Sequence, residues 1–235
     1  MFKSCGKCNN GKITIRSKNG NTWKYCDCYK TYIHNMRIYS KMKSSGLNDI
    51  VVKSFDDYVG TDENKNIPKM KKFVDEFSNK FHGKHLFIYG DNGTQKSTMA
   101  KVLLYKLAEK GYSVLYMNSK DFFSKFSELE VDEEFENKFY NYDCLVLDEF
   151  DSKKVQLFKS GYKESATIAP LKKRMEINRK STIFISNQTI DEIKDSQLGE
   201  LFGDLIDREC FQMTFTDKYS KNVDLSKKWD DLWSD

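Results

Sequence analysis

Two prolines in 235 residues leave little from which to build a Pro-rich linker or a Pro-rich disordered tail. No run of about 18 apolar residues occurs, so no membrane-spanning helix and no membrane partner are expected. The opening MFKSCGKCNN lacks the apolar stretch of a secretory signal, which predicts a cytoplasmic protein. Acid is almost missing from the front of the chain. Residues 1–46 hold ten Lys or Arg and the single acid Asp27, although the whole chain carries a net charge of only +4. The remainder is therefore slightly acidic. Such a basic front end fits a polyanion or an acidic protein face, and equally a solvated surface.

What is present begins with cysteine. Six cysteines in a chain without a secretory signal argue against disulfides. Four cluster early: Cys5 and Cys8 form a CxxC knuckle, and Cys26 and Cys28 form a tighter CxC. Between them Ile13, Ile15, Trp23 and Tyr25 alternate with polar residues around Asn19-Gly20, a pair suited to a hairpin turn. A hairpin with a cysteine pair near each end gathers four thiolates. That is a structural zinc site, closed to substrate, whose metal supplies folding energy a small lobe lacks. The alternative is four unrelated thiols. Cys144 and Cys210 lie in apolar runs and read as core residues.

The chain divides by rhythm. Residues 1–47 hold the cysteine element and a basic amphipathic helix over about 29–47, ending near Gly46. Residues 48–84 read as a linker followed by a helix that starts at Pro68. From residue 85 short apolar strands alternate with helices: HLFIYG, YSVLYMN, DCLVLDEF, STIFISN and CFQMTFT are five strand segments. Helices are expected at 96–111 and 167–180, and a helical stretch at 119–142. Strands alternating with helices imply an α/β fold, a parallel sheet covered on both faces.

The turn after the first of these strands is GDNGTQKST, residues 90–98. A P-loop reads Gly, four residues, Gly, Lys, then Ser or Thr. Gly90, Lys96 and Ser97 stand in register, with Asp91, Asn92, Gly93, Thr94 and Thr98 completing the segment, but Gln95 takes the place of the second glycine. Backbone N–H groups of the loop and of the following helix would face the phosphates of ATP. Lys96 would contact the β and γ phosphates, and Ser97 would hold Mg2+. Downstream, CLVLDEF ends in Asp148 and Glu149. Asp148 would complete the magnesium shell, and Glu149 would polarise the attacking water. Glycine at position 95 would let the backbone approach a phosphate without a Cβ. Gln95 must either keep an ordinary φ with its side chain turned away, or crowd the site. On that steric argument Gln95→Gly would tighten ATP binding.

With these motifs in place the chain resembles, over nearly its whole length, the bacterial and phage replicative helicase loaders of the DnaC/DnaI type. These are AAA+ ATPases related to the IstB-type transposition helpers. The resemblance rests on CGKCNNG and CDC at the front and on HLFIYGDNGTQKSTMAKVLLYKL at the start of the core. It implies an AAA+ P-loop core over 85–235 with a five-stranded parallel sheet flanked by helices, preceded by a small zinc-ribbon-like element. TIFISN resembles the sensor 1 strand, making Asn187 the group that orients water near the γ phosphate. LGELFGDLIDRE resembles the segment bearing an arginine that acts in trans on a neighbour's ATP, here Arg208. Two positions depart from the family besides Gln95: Leu201 stands where it has arginine, and Lys221 is a weak match to its sensor 2.

The same resemblance implies three partners: a replicative helicase held by the N-terminal part, single-stranded DNA, and further copies of the chain across the AAA+ interface. DNA is expected along 119–142, where Phe122, Phe123, Lys120 and Lys125 would offer rings and cations unless the phenylalanines are core. Two other functions remain open. One is a transposition-helper ATPase. The other is a nucleotide-binding adaptor or inhibitor of a helicase, without productive hydrolysis.

Overall fold

The computed structural model describes residues 4–17, 20–47, 54–127, 132–151, 168–196 and 199–218. It divides into two units, residues 1–48 and 49–235.

In the first unit β1 (Lys12–Ser17) pairs antiparallel with β2 (Gly20–Tyr25). Ser17 pairs with Gly20, so Gly20 closes the ladder instead of lying at the centre of the turn. Asn19, the other half of the expected turn pair, lies outside the described residues. Helix α1 (Asp27–Ser44) begins two residues earlier than its periodicity suggests, with Cys26 at the N-cap and Cys28 inside the first turn. It ends as its Gly46 predicts. Gly46 adopts φ +78°, and the Leu47 N–H returns to Met42 O at 3.0 Å, satisfying a carbonyl left open by the last turn.

In the second unit Ser54 caps the short turn Phe55–Asp57, which buries Phe55. Helix α2 (Asn66–Asp75) follows and runs into a wider turn at Phe77–Phe81. Its buried face is Ile67, Met70, Phe73, Val74 and then Phe77, the three-four spacing of an amphipathic helix. The core then alternates as the apolar runs predict: β3 (His85–Tyr89), α3 (Lys96–Glu109), β4 (Val114–Asn118), α4 (Ser119–Ser127), α5 (Glu133–Asn141) and β5 (Cys144–Asp148). A helical stretch over 168–177, α6, leads to β6 (Ser181–Ser186). Then come α7 (Ile190–Lys194), α8 (Gly199–Glu209) and β7 (Cys210–Thr214).

The five strands β3 to β7 form one parallel sheet in the order β4-β5-β6-β3-β7. The register is tight: Tyr89 lies beside Ser186, and Asn118 beside Asp148. The C-terminal ends of these four strands therefore come out along one edge. Strands β5 and β6 are buried at every residue, which is why they read as unbroken apolar runs.

The expected helical stretch at 119–142 is two helices, α4 and α5, with 128–131 outside the described residues. Phe122 is 0% exposed and Phe123 3%, and both join Phe126, Phe139, Phe150 and Phe202 in the core. Their rings are committed to packing, so neither offers a stacking face to DNA. Lys120 and Lys125 of the same helix are exposed. Cys144 is fully buried, which pushes its thiol up to about 12, and half-buried Cys210 packs against the core.

Arg174 on α6 is also fully buried. Its guanidinium donates to the carbonyls of Phe139, Tyr142 (2.9 Å) and Ser181 (2.8 Å) and to Thr182 Oγ1 (3.1 Å). Burial draws its pKa down to about 10. One side chain thus ties the end of α5 to the start of β6.

Candidate nucleotide-binding site

Strand β3 delivers the chain directly into the Gly-rich turn. Gly90 takes φ +144°, and a Cβ there would lie 2.0 Å from Phe215 O, so the loop's first residue has room only for hydrogen. The loop ends at the N-terminus of α3, which presents the positive end of the helix dipole. Together with the strand ends, residues 92–98, Asp148, Glu149, Ile185, Ser186 and Asn187 line an open cleft of about 280 Å³.

Lys96 is 6% exposed and its ammonium is drawn inward. It donates to Gly90 O and Asp91 O, both at 2.7 Å, to Asn187 Oδ1 at 3.0 Å and to Thr94 Oγ1 at 3.2 Å. The cation occupies the middle of its own loop, where an incoming phosphate would replace the two backbone carbonyls as acceptor. Ser97 Oγ lies 3.0 Å from Asp148 Oδ1. These two oxygens, from the first turn of α3 and the end of β5, form the hard oxygen pair that Mg2+ takes beside phosphate oxygens. Asp91 pairs with Lys218 at 2.8 Å; Asn92 and Gly93 are exposed, and Thr98 is half-buried on α3.

Three residues that the sequence analysis passed over complete this edge. Tyr116 donates its hydroxyl to the other oxygen of Asp148, and burial, followed by that carboxylate, pushes its phenol far above the usual range. Asn118 Nδ2 donates to Glu149 Oε2 at 2.7 Å. Glu149 itself sits at φ +56°, a left-handed conformation that costs a non-glycine residue energy, and its carbonyl accepts from Ser119 Oγ at 2.6 Å. Asp151 is 4% exposed and accepts from Ser186 Oγ (2.7 Å), Asn187 N (2.7 Å) and Asn187 Nδ2 (2.8 Å). That fixes the amide of Asn187 with its carbonyl toward Lys96. The signal for Asn118 and Asp151 was positional, since they stand at or just past the C-terminal ends of parallel strands, where open α/β sheets bind ligands, whereas Tyr116 lies in the middle of β4 and carried no such signal.

Gln95 follows neither steric alternative in full: its φ is +64°, not ordinary, yet its side chain does turn away, its amide meeting the backbone of Val59. Arg208 does not line the cleft; it pairs with Glu176 (2.6 Å) and Glu209 (2.7 Å), while Asp204 and Asp207 pair with Lys194. Lys221 lies outside the described residues.

In the first unit the four thiols converge. Cys5 to Cys8, Cys5 to Cys26 and Cys8 to Cys28 are 3.9, 3.6 and 3.5 Å apart, and all four sulfurs lie within 4.8 Å of one another. Tetrahedral zinc with Zn–S bonds of about 2.3 Å places its sulfurs about 3.8 Å apart. The donor set therefore fits zinc in both chemistry and spacing. The Ser4 hydroxyl at 3.2 Å is the main influence drawing the Cys8 thiol down to about 6, while burial, with the neighbouring thiols, pushes Cys28 up to about 12.

No protein-family model matches the sequence. No curated protein matches it. Solved structures do. The crystal structure of the DnaC helicase loader superimposes with a TM-score of 0.57 at 23% identity, over 69% of this chain and 96% of that one. The DnaI crystal structure gives 0.57 at 19%, over 72% and 90%. The AMPPCP-bound DnaA of Aquifex aeolicus gives 0.57 at 16%, over 70% of this chain. The chain spans about half the length of the initiator structures it matches, 54% and 50%. At these identities the likeness establishes a shared α/β fold, a five-stranded parallel sheet flanked by helices. Among the described residues no helix is long and apolar enough to cross a membrane.

Proposed function

We propose that this chain is an ATP- and Mg2+-dependent loader of a replicative DNA helicase, acting in replication initiation. The observation that carries the nucleotide half is the convergence of Lys96, Ser97, Asp148, Glu149 and Asn187 on one cleft at the C-terminal edge of the sheet. Lys96 and the loop N–H groups bind the β and γ phosphates. Ser97 and Asp148 hold Mg2+, whose charge offsets that of the phosphate oxygens. Glu149 orients the attacking water, with Asn187 beside the γ phosphate. Arg208 is the residue offered to a neighbouring copy's ATP, and reaching it requires release from Glu176 and Glu209.

The loader half rests on the fold shared with DnaC and DnaI, and on the cysteine-bearing basic unit ahead of the core. That unit, with zinc on Cys5, Cys8, Cys26 and Cys28, holds the helicase, and the core engages single-stranded DNA. The units of work are residues 1–47, the connecting 48–84 and the core 85–235, in a cytoplasmic protein. A second reading, a nucleotide-stabilised adaptor without turnover, is favoured by one feature: Asn118 already occupies a carboxylate oxygen of Glu149.

Phosphate release from ATP, measured with single-stranded DNA and the helicase captured by the full chain from its native cell, separates these readings. Glu149→Gln is expected to lower turnover by about a hundredfold or more while nucleotide stays bound. Nucleotide bound with no turnover above background would establish the adaptor. Capture of a transposase in place of a helicase would move the chain to transposition.

A further inference from the structure

The side chain at position 95 points to a role of its own. Gln95 Nε2 donates to Val59 O at 2.6 Å, and the Val59 N–H donates to Gln95 Oε1 at 3.1 Å. One primary amide thus satisfies both backbone groups of one residue, the pairing that a neighbouring strand would otherwise supply. The partner is 36 residues away, in the segment that precedes α2.

That segment is itself anchored. The Asp217 carboxylate accepts from Tyr58 Oη (2.9 Å), Thr61 Oγ1 (3.2 Å) and Asp62 N (2.8 Å). The chain around Asp217 is in turn fixed to the start of the phosphate loop, with Phe215 N donating to Tyr89 O at 2.8 Å and Lys218 pairing with Asp91. Loop, segment 58–62 and segment 215–218 brace one another in a closed triangle. Gln95 supplies the side between the loop and segment 58–62.

We propose that Gln95 is a positioning residue of the nucleotide loop, whose amide clasps Val59 and so holds the left-handed kink at position 95, where the loop lines the cleft. A glycine adopts that kink freely but cannot hold it. Glutamine has an intrinsic preference against φ +64°, and the two hydrogen bonds offset that cost while removing the loop's freedom to open. In this chain the glycine of an ordinary P-loop would be the weaker solution, reversing the steric expectation. The inference rests on the reading of the cleft as a nucleotide site, but the clasp exists without nucleotide and can be measured without it.

The test uses the full chain with Gln95→Gly and with Gln95→Met, which keeps the bulk and loses the amide. Amide hydrogen exchange at Val59 in the nucleotide-free protein reads the clasp directly. It should accelerate at least about tenfold in both variants while β3 and β6 stay protected. Calorimetry with Mg·ATP should show both binding about tenfold more weakly than the parent, equivalent to one or two ordinary hydrogen bonds. Unchanged Val59 exchange, or a Gln95→Gly protein that binds ATP as well as or better than the parent, overturns the proposal. Accelerated exchange in protein whose unsubstituted form binds no ATP upholds the clasp and overturns the nucleotide reading, with which a role in positioning nucleotide also falls.

Discussion

The cysteine-bearing hairpin and the central sheet are both made of β-strands, yet they bury opposite shares of their residues. All six residues of β2 are exposed, whereas all six of β6 are buried. The hairpin's alternation of Ile13, Ile15, Trp23 and Tyr25 gives it a patterned surface, but the unit is too small to cover either face. Trp23 is 53% exposed, and its visible company is the Lys12 ammonium 4.3 Å from its ring and Tyr25 edge-on at 5.1 Å. The sheet is covered by helices on both sides and carries no such debt. A lobe this small could draw its missing folding energy from metal–ligand bonds at the four-cysteine cluster, and the larger core needs none.

The comparison breaks most visibly on chelation. Removing metal, or replacing Cys26 with serine, is expected to unfold β1 and β2 completely while leaving the core intact. Hydrogen exchange should show full loss of protection across residues 12–25 and none across 85–89 and 181–186. Retained protection in the metal-free hairpin would show that four thiols and a few rings suffice.

The core has its own single point of dependence in Arg174, and a smaller effect follows there. Arg174→Met keeps apolar bulk but strips hydrogen bonds from two buried carbonyls and a part-buried one. A loss of about 3 kcal/mol in denaturant-derived stability is expected, confined to the core's transition. A change under 1 kcal/mol would mean that the carbonyls find other donors.

Acid sharpens the contrast at the next level down. His85 is 3% exposed, and burial outweighs Glu209 to draw its pKa down to about 4, while its Nδ1 accepts from Thr182 N–H at 3.1 Å. The unfolded chain binds that proton near pH 6.5, so between about 6.5 and 4 the unfolded state holds more protons than the native one. Core stability is therefore complete above pH 6.5 and falls as pH drops toward 4, by at most roughly 3 kcal/mol. Asp143 acts lower. Burial pushes its carboxyl up, but Lys180 and Ser113 outweigh that and hold it at about 2, so its contribution is lost only below the unfolded carboxylate range near 3.8. Urea titrations at several pH values should show the first loss in the parent and a flatter profile in His85→Gln. Equal slopes in both would remove His85 as the cause.

The strands were legible because each is a short apolar run between turn residues, and the structure trims them by only one to three residues. The Gly-rich turn and the acidic end of β5 were legible for a similar reason: both are local strings in which chemistry and spacing coincide. The helix at 29–47 was misplaced at its start, because Cys26 and Cys28 carry no helical periodicity even though they cap and open α1. Phe122 and Phe123 show the limit of reading rings. Aromatic residues beside lysines suit a stacking platform and a core equally well, and helical periodicity reports a buried face without saying what covers it.

What the sequence determined by itself was the inventory: four thiols in two pairs, a Gly-rich loop with one irregular residue, two acids at the end of a buried strand and an asparagine after the next. Each is a property of neighbours along the chain, where backbone preference and burial act within a few residues. Only the tertiary structure decided the pairings, because a hydrogen bond depends on distance and direction that packing alone delivers. Asn118 meets Glu149 across 31 residues, Arg174 meets Phe139 across 35, and Gln95 meets Val59 across 36. The glutamine that looked like a defect in the loop turns outward to a backbone partner that no local pattern announces.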